Sequence, residues 1–377
     1  MDQTVDTVII GSGPAGTSCA IELQKSGLPN LVIEKRSFPR DKTCAGLVTS
    51  KTQKLLEHLL PDPEEIYCDT SDVLELYYGY DRLTESVVSE PFRLVKRRIL
   101  DSRLAKQYTD LGGNLLENTC CKSIDLAAHR LQLSNDDTVT FKHLVVADGA
   151  LSSTKKMLGY PAQELAFCLE THVPKSKLPD RKNTVGVYFG TMKNGYAWVF
   201  PSGDEYCIGI IDLYRKETSY HDLMQKFLVS LGLDPAERAV KGAFVPYGKT
   251  VKQAKGQDDV ILIGDAGGFV DPICGEGLYF SMATGIAAAN AIVDKPEKSR
   301  SEFLVQTARF DQIIRSGRRL QRIFFSGGIQ KLFKRVVPGK NRFAKFYADH
   351  LVSDYHYSYA QFWKLCRDYK KQKRDHT

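Results

Sequence analysis

The feature that most constrains this chain lies in its first 34 residues. A short apolar run, Val5 to Ile10, passes directly into Gly11-Ser12-Gly13-Pro14-Ala15-Gly16, and apolar residues then recur at helical spacing from Thr17 to Lys25. These patterns predict a strand, a tight turn and a helix. A second strand, Leu31-Val32-Ile33, ends in Glu34, about 20 residues after the turn, where a dinucleotide fold places the acid that grips a ribose. The three glycines serve different ends. Gly11 permits the turn, Gly13 lets backbone approach a pyrophosphate, and Gly16 lets helix and strand pack closely. The helix N-terminus then faces the phosphate charge. Ser12, Pro14 and Ala15 in the turn, and Lys35 after Glu34, join the glycines as candidate cofactor contacts.

Downstream, Arg103 to Leu111 reads as a helix ended by Gly112-Gly113, followed by a strand around Leu115 to Ile124 that carries another candidate contact, Cys121. The strand Leu144 to Ala147 runs into Asp148-Gly149. Between Phe167 and Tyr214 the pattern changes to strand-like runs broken by Pro, Gly, Asn and Asp, and Val73 to Tyr80 is similar. These predict one mainly antiparallel sheet built from two separated stretches. The dinucleotide pattern returns with Val260 to Ile263, the turn Gly264-Asp265-Ala266-Gly267-Gly268, and a small-residue helix from Gly277 to Val293. The expected fold is α/β: a Rossmann-type domain (1–70, 96–155, 250–297) interleaved with a mainly antiparallel substrate domain (71–95, 156–249), then a basic helical segment (298–377).

The stretch from Ile263 through Asp265, Gly275 and Gly277 to Leu278 resembles the second FAD fingerprint of the flavoprotein class that includes aromatic hydroxylases, halogenases and geranylgeranyl reductases. Asp148-Gly149 resembles the third fingerprint, and Arg97, followed by Leu100 and Leu104, matches the class pattern of an arginine beside the flavin. The resemblance implies that Asp265 meets the ribityl or pyrophosphate part of FAD, and that backbone around Gly264, Gly275, Gly277 and Leu278 faces its ring system.

Two further motifs narrow the resemblance. Lys42-Thr43-Cys44-Ala45-Gly46-Leu47 is similar to the cysteine loop of the geranylgeranyl reductase family, and Tyr196-Ala197-Trp198-Val199-Phe200-Pro201 matches its Tyr-x-Trp-x-Phe-Pro signature. The chain departs from the family with Ala45 where a Gly is usual and with Cys274 in the flavin-facing loop. Membership implies reduction of carbon–carbon double bonds in an apolar prenyl substrate. Cys44, Ala45 and Gly46 then lie beside the flavin, with Cys44 as proton donor or tuner of the ring. Tyr196, Trp198 and Phe200 share a strand face and form a substrate wall. A monooxygenase or halogenase shares the FAD fingerprints, although a halogenase is expected to carry Trp-x-Trp-x-Ile-Pro. A flavin electron carrier or redox sensor using Cys44 is the third alternative. A second complete GxGxxG unit is not seen, so the reductant is expected to be a transient NAD(P)H or an electron-carrier protein.

Composition adds exclusions. Nine cysteines, single apart from Cys120-Cys121, lack the spacing of a metal cluster, so no metal is expected. The N-terminus shows no secretory pattern and no window is apolar enough to span a bilayer, which makes a cytoplasmic protein the expectation. The net charge of +7 is concentrated from Arg309 to Lys345, where arginines and lysines alternate with apolar residues including Phe324 and Phe325. That pattern suits a solvated helical face packed on the body, or an anionic membrane surface at the inner face of the membrane, better than nucleic acid.

Overall fold

The computed structural model describes residues 2–214, 219–237, 239–247, 249–251 and 258–325. Among them, a seven-stranded sheet holds the dinucleotide pattern. Its parallel strands run in the order Asn114–Leu116, Asn30–Ile33, Asp2–Ile10 and Thr138–Val146, and Val260–Leu262 pairs with the end of the last. The beginning of Thr138–Val146 pairs antiparallel with Arg130–Leu133, which pairs in turn with Cys121–Asp125.

The eight-stranded second sheet has the order Lys241–Pro246, Leu165–Pro174, Glu205–Asp212, Gly195–Ser202, Val185–Phe189, Tyr67–Tyr78, Asp81–Val95 and Leu47–Val48. It is antiparallel except where Val185–Phe189 runs parallel to Tyr67–Tyr78. Three stretches of chain build it, not two, because Leu47–Val48 returns from the cysteine loop to pair with Arg93 and Leu94.

Two strand readings are corrected. The run Leu115 to Ile124 is two strands in different parts of the sheet, separated by a turn in which Asn118 has φ 52°. The strand read as Val73 to Tyr80 stops at Tyr78; Gly79, at φ 60°, turns the chain into Asp81–Val95, the longest strand described.

The helix Pro14–Lys25 is buried almost all round, because the small-residue helix Leu278–Asp294 packs on it. A Cβ on Gly16 would lie 1.9 Å from the Gly11 carbonyl oxygen, and one on Gly285 would lie 2.3 Å from that of Ala15. Such closeness is available only to residues without a side chain. The two glycine-rich fingerprints, remote in sequence, therefore form one packed unit.

The helix Ala308–Phe324 buries Ile313, Ile314, Leu320 and Gln321 against the body, and the Gln321 amide donates to the Pro272 carbonyl. Arg309, Arg315, Arg319 and Arg322 are exposed, whereas Arg318 is held by Glu164 at 2.5 Å. Phe325 is buried in the core of the second sheet and so is not available to a membrane. The Phe324 side chain and the basic residues from Lys331 to Lys345 lie outside the described residues. No helix among the described residues is long and apolar enough to cross a membrane.

Candidate active site

The turn Gly11 to Gly16 sits at the C-terminal end of the first strand. Ser12 donates from its backbone N–H (3.0 Å) and its hydroxyl (2.6 Å) to Glu34, so the acid expected at the ribose is already oriented by the turn. Gly13 caps the helix without a side-chain hydrogen bond and Pro14 occupies the first turn, which leaves the helix N-terminus open to a ligand. A Cβ on Gly13 would meet only the Arg40 guanidinium, 4.0 Å away. Space is thus kept open in front of the helix N-terminus at Gly13, while Gly11 and Gly16 are closed in by the chain itself. Lys35, by contrast, points into solvent.

Arg40 was not foreseen. It lies 3.6 Å from Glu34 and 3.1 Å from Asp101, and Asp101, fully buried, also takes a two-pronged ion pair from Arg97 at 2.7 and 2.8 Å. One carboxylate thereby holds two arginines beside the cofactor turn. The Arg97 guanidinium also faces the Cys44 thiol.

The other candidates divide into two groups. Asp148 accepts from the Thr154 N–H at 3.1 Å through one oxygen, and its other oxygen is buried with no partner among the described residues, an unmet acceptor suited to a cofactor hydroxyl. Ala15 packs beneath the turn, and Gly264 donates its N–H to Thr284 at 3.0 Å. Cys121 is buried in the sheet core with its thiol turned to the Ser123 carbonyl at 3.4 Å, and burial pushes that thiol up to about 11.

The second group lines a cavity of ≈ 210 Å³ between the sheets. Pro14, Cys44, Ala45, Gly46, Arg97, Asp265, Gly275, Gly277 and Leu278 meet there with Tyr196, Trp198 and Phe200. Gly46, at φ 76°, lets the cysteine loop lie against the Val95 carbonyl, which a Cβ would strike at 2.2 Å. The opposite loop is stiffened by Asp271, whose carboxylate accepts from the N–H groups of Ile273 (2.8 Å) and Cys274 (2.9 Å). Glu276 anchors the same loop through Thr49 and Lys51, both at 2.6 Å.

The aromatic strand belongs to a grid of cross-strand rows. Tyr196 faces Ile211 and then Cys168; Trp198 faces Gly209 and then Glu170; Phe200 faces Cys207 and then His172. Residues opposite each other in a sheet share a face. Gly209 is what lets the indole lie flat, since a Cβ there would come within 2.1 Å of Trp198. Tyr196 donates its hydroxyl to the Cys274 carbonyl at 2.5 Å, tying the wall to the loop.

Glu170 was missed by sequence reasoning. It is 4% exposed, lines the cavity, and accepts from the Cys44 N–H at 2.9 Å, with the Cys207 thiol 3.8 Å away. Burial pushes its carboxyl up to about 7, against the opposing pull of those hydrogen bonds and of Lys241 and Arg97. His172 completes a three-donor cluster with Glu170 and Cys207 whose donor atoms lie within 4.8 Å of one another, a proximity that cysteine spacing alone did not suggest.

Comparisons with known proteins bear on the fold and the cofactor. Residues 5–184 match the pyridine nucleotide-disulphide oxidoreductase family model. An uncharacterized protein of Methanosarcina barkeri is 29% identical over 88% of this chain and 86% of its own. The digeranylgeranylglycerophospholipid reductase of Methanococcus aeolicus is 27% identical over 81% of each. A geranylgeranyl bacteriochlorophyll reductase-like protein of Thermoplasma acidophilum has the same fold, with a TM-score of 0.81 over 98% of this chain and 100% of that one, at 16% identity.

Fold and site together define an FAD-binding oxidoreductase with a Rossmann-type domain and a second, mainly antiparallel sheet. Within that class, the chain is similar to proteins named as geranylgeranyl-type reductases, at 27% identity or below.

Proposed function

We propose that this protein reduces isolated carbon–carbon double bonds in a prenyl chain. The observation that carries the reading is the aromatic wall of Tyr196, Trp198 and Phe200, which faces the cavity shared by the cysteine loop and the stiffened loop at Asp271 to Leu278. An apolar wall gives a prenyl chain surface to lie on, and an alkene offers no polar handle of its own. Bound FAD, once reduced by NAD(P)H or an electron-carrier protein, supplies the hydride. The protein itself has to hold FAD on Gly13, Glu34, Asp148 and Asp265, lay the substrate along the wall, exclude water and place a proton.

The test is anaerobic. The protein is reduced and mixed in turn with prenyl alkenes, quinones and, separately, dioxygen, and flavin reoxidation is followed. Reoxidation by prenyl alkenes supports the reading; reoxidation by dioxygen with hydroxylation or halogenation of an aromatic points to the monooxygenase or halogenase alternative, and dependence on a protein partner to the carrier. In the same assay Trp198→Ala is expected to lose about 1.5–3 kcal/mol of apolar contact, a roughly tenfold to hundredfold fall in kcat/KM, while keeping its FAD absorbance. Full activity in this variant would move the pocket elsewhere.

We also propose that the protein collects its substrate at an anionic membrane surface. Arg315, Arg319 and Arg322 recur at helical spacing and are exposed on the helix Ala308–Phe324. Each cation near such a surface contributes about 1 kcal/mol, so replacing the three with Gln is expected to weaken binding to phosphatidylserine vesicles by roughly a hundredfold at low salt. Cosedimentation measures this directly. Unchanged binding would leave the face merely solvated.

A further inference from the structure

We propose that Glu170 is the acid that protonates the substrate. The proposal rests on the alkene-reductase reading and assigns the proton source within it.

Three carboxyls line the cavity. Asp265 faces Lys42 at 3.9 Å and Glu276 is paired with Lys51 at 2.6 Å, whereas Glu170 has no ion pair within 4 Å among the described residues. It lies in the same cross-strand row as Trp198, separated from it only by Gly209, whose missing side chain is filled by the indole. An alkene lying on Trp198 therefore lies beside the carboxyl.

The groups around Glu170 come from every packed element. Cys44 presents its N–H and Lys42 stands on the same loop; Arg97 comes from the helix Arg97–Asp110, Lys241 from one neighbouring strand and Cys207 from the other, while Cys168 and His172 flank Glu170 on its own strand. Burial favours the acid, while the hydrogen bonds from Cys44 and Cys207 and then the cations Lys241 and Arg97 favour the carboxylate. The balance pushes the carboxyl up to about 7, which suits a proton donor.

The step balances. With one alkene carbon taking the hydride that bound, reduced FAD would supply, the Glu170 O–H gives its proton to the π electron pair left on the neighbouring carbon. Two C–H bonds replace the π bond, and the carboxylate is reprotonated from solvent.

The test combines anaerobic single-turnover reoxidation by a prenyl alkene with carbon-13 NMR of glutamate-labelled protein. The wild-type rate is expected to fall as pH rises through about 7, and a side-chain carboxyl signal missing from Glu170→Gln is expected to titrate over that same range. Glu170→Gln is expected to keep FAD, react roughly a hundredfold or more slowly and lose the pH dependence, while Glu170→Asp recovers part of both. An equal rate and pH profile in Glu170→Gln would overturn the assignment alone. A Glu170 signal in the ordinary carboxylate range would also overturn it, whatever the variants do. If no prenyl alkene reoxidises the wild-type protein, the alkene-reductase reading falls and this assignment with it.

Discussion

Gly13→Val is expected to purify as a folded but colourless protein. The added side chain enters the space kept open in front of the helix N-terminus, where its Cβ would come no closer than 4.0 Å to any atom beyond its chain neighbours, that atom being the end of the Arg40 side chain. At φ −72° the backbone there is ordinary for a branched residue. The Cβ therefore meets no crowding from the rest of the polypeptide, and the side chain occupies the space proposed for the FAD pyrophosphate. FAD occupancy should fall from near full to near zero, read from the ratio of flavin to protein absorbance, while denaturant unfolding matches that of wild-type apoprotein to within about 1 kcal/mol. Gly16→Val is the contrast, since its Cβ would strike the Gly11 carbonyl oxygen at 1.9 Å and the fold itself would be lost. Full flavin content in Gly13→Val would mean that the pyrophosphate lies elsewhere.

Asp101→Asn is expected to be among the most destabilising single changes in the chain. The carboxylate is wholly buried and neutralises Arg97, itself buried, together with Arg40 at 3.1 Å. Asparagine keeps the shape and removes the charge, which leaves two guanidiniums without their shared counter-ion. Removing one member of a buried ion pair typically costs about 3–5 kcal/mol, and urea unfolding of the apoprotein measures it. Arg40 keeps Glu34 at 3.6 Å, so changing Arg97 to Met at the same time removes the stranded charge and should recover part of the loss. A loss below about 1 kcal/mol for Asp101→Asn would show that water, not Asp101, carries these charges.

Much of the cofactor domain was legible because its signals are local. Gly11, Gly13 and Gly16 sit at fixed offsets between an apolar run and a helical period, and Glu34 closes the next strand. The second sheet was legible only in part. Asp81–Val95 escaped because its inward positions include Thr84 and Ser86, and its pairing with Tyr67–Tyr78 shifts register three times, so the residues carry no clean apolar alternation. Glu170 escaped for a different reason. Within Phe167-Cys168-Leu169-Glu170-Thr171 it reads as an outward polar residue, and its burial comes from Cys44, 126 residues away toward the N-terminus, and from the strand Glu205–Asp212. Arg40 and Asp101 are likewise joined only by the folded loop. The run around Phe325 reads either as a helical face whose apolar side packs on the body or as a surface for anionic lipid, and only its contact with Phe189, over a hundred residues away in sequence, decides for the first at that residue.

The packing of the helix Leu278–Asp294 on Pro14–Lys25, with Gly285 against the Ala15 carbonyl, also sets a schedule for biosynthesis. A ribosome that has released residues 1–246 has delivered every strand of the second sheet and all but Val260–Leu262 of the first. It has not delivered the helix that covers Ala15, nor the loop that meets Cys44 and Trp198 across the cavity. The growing chain therefore exposes the apolar face of Pro14–Lys25 until the residues of Leu278–Asp294 have left the ribosome.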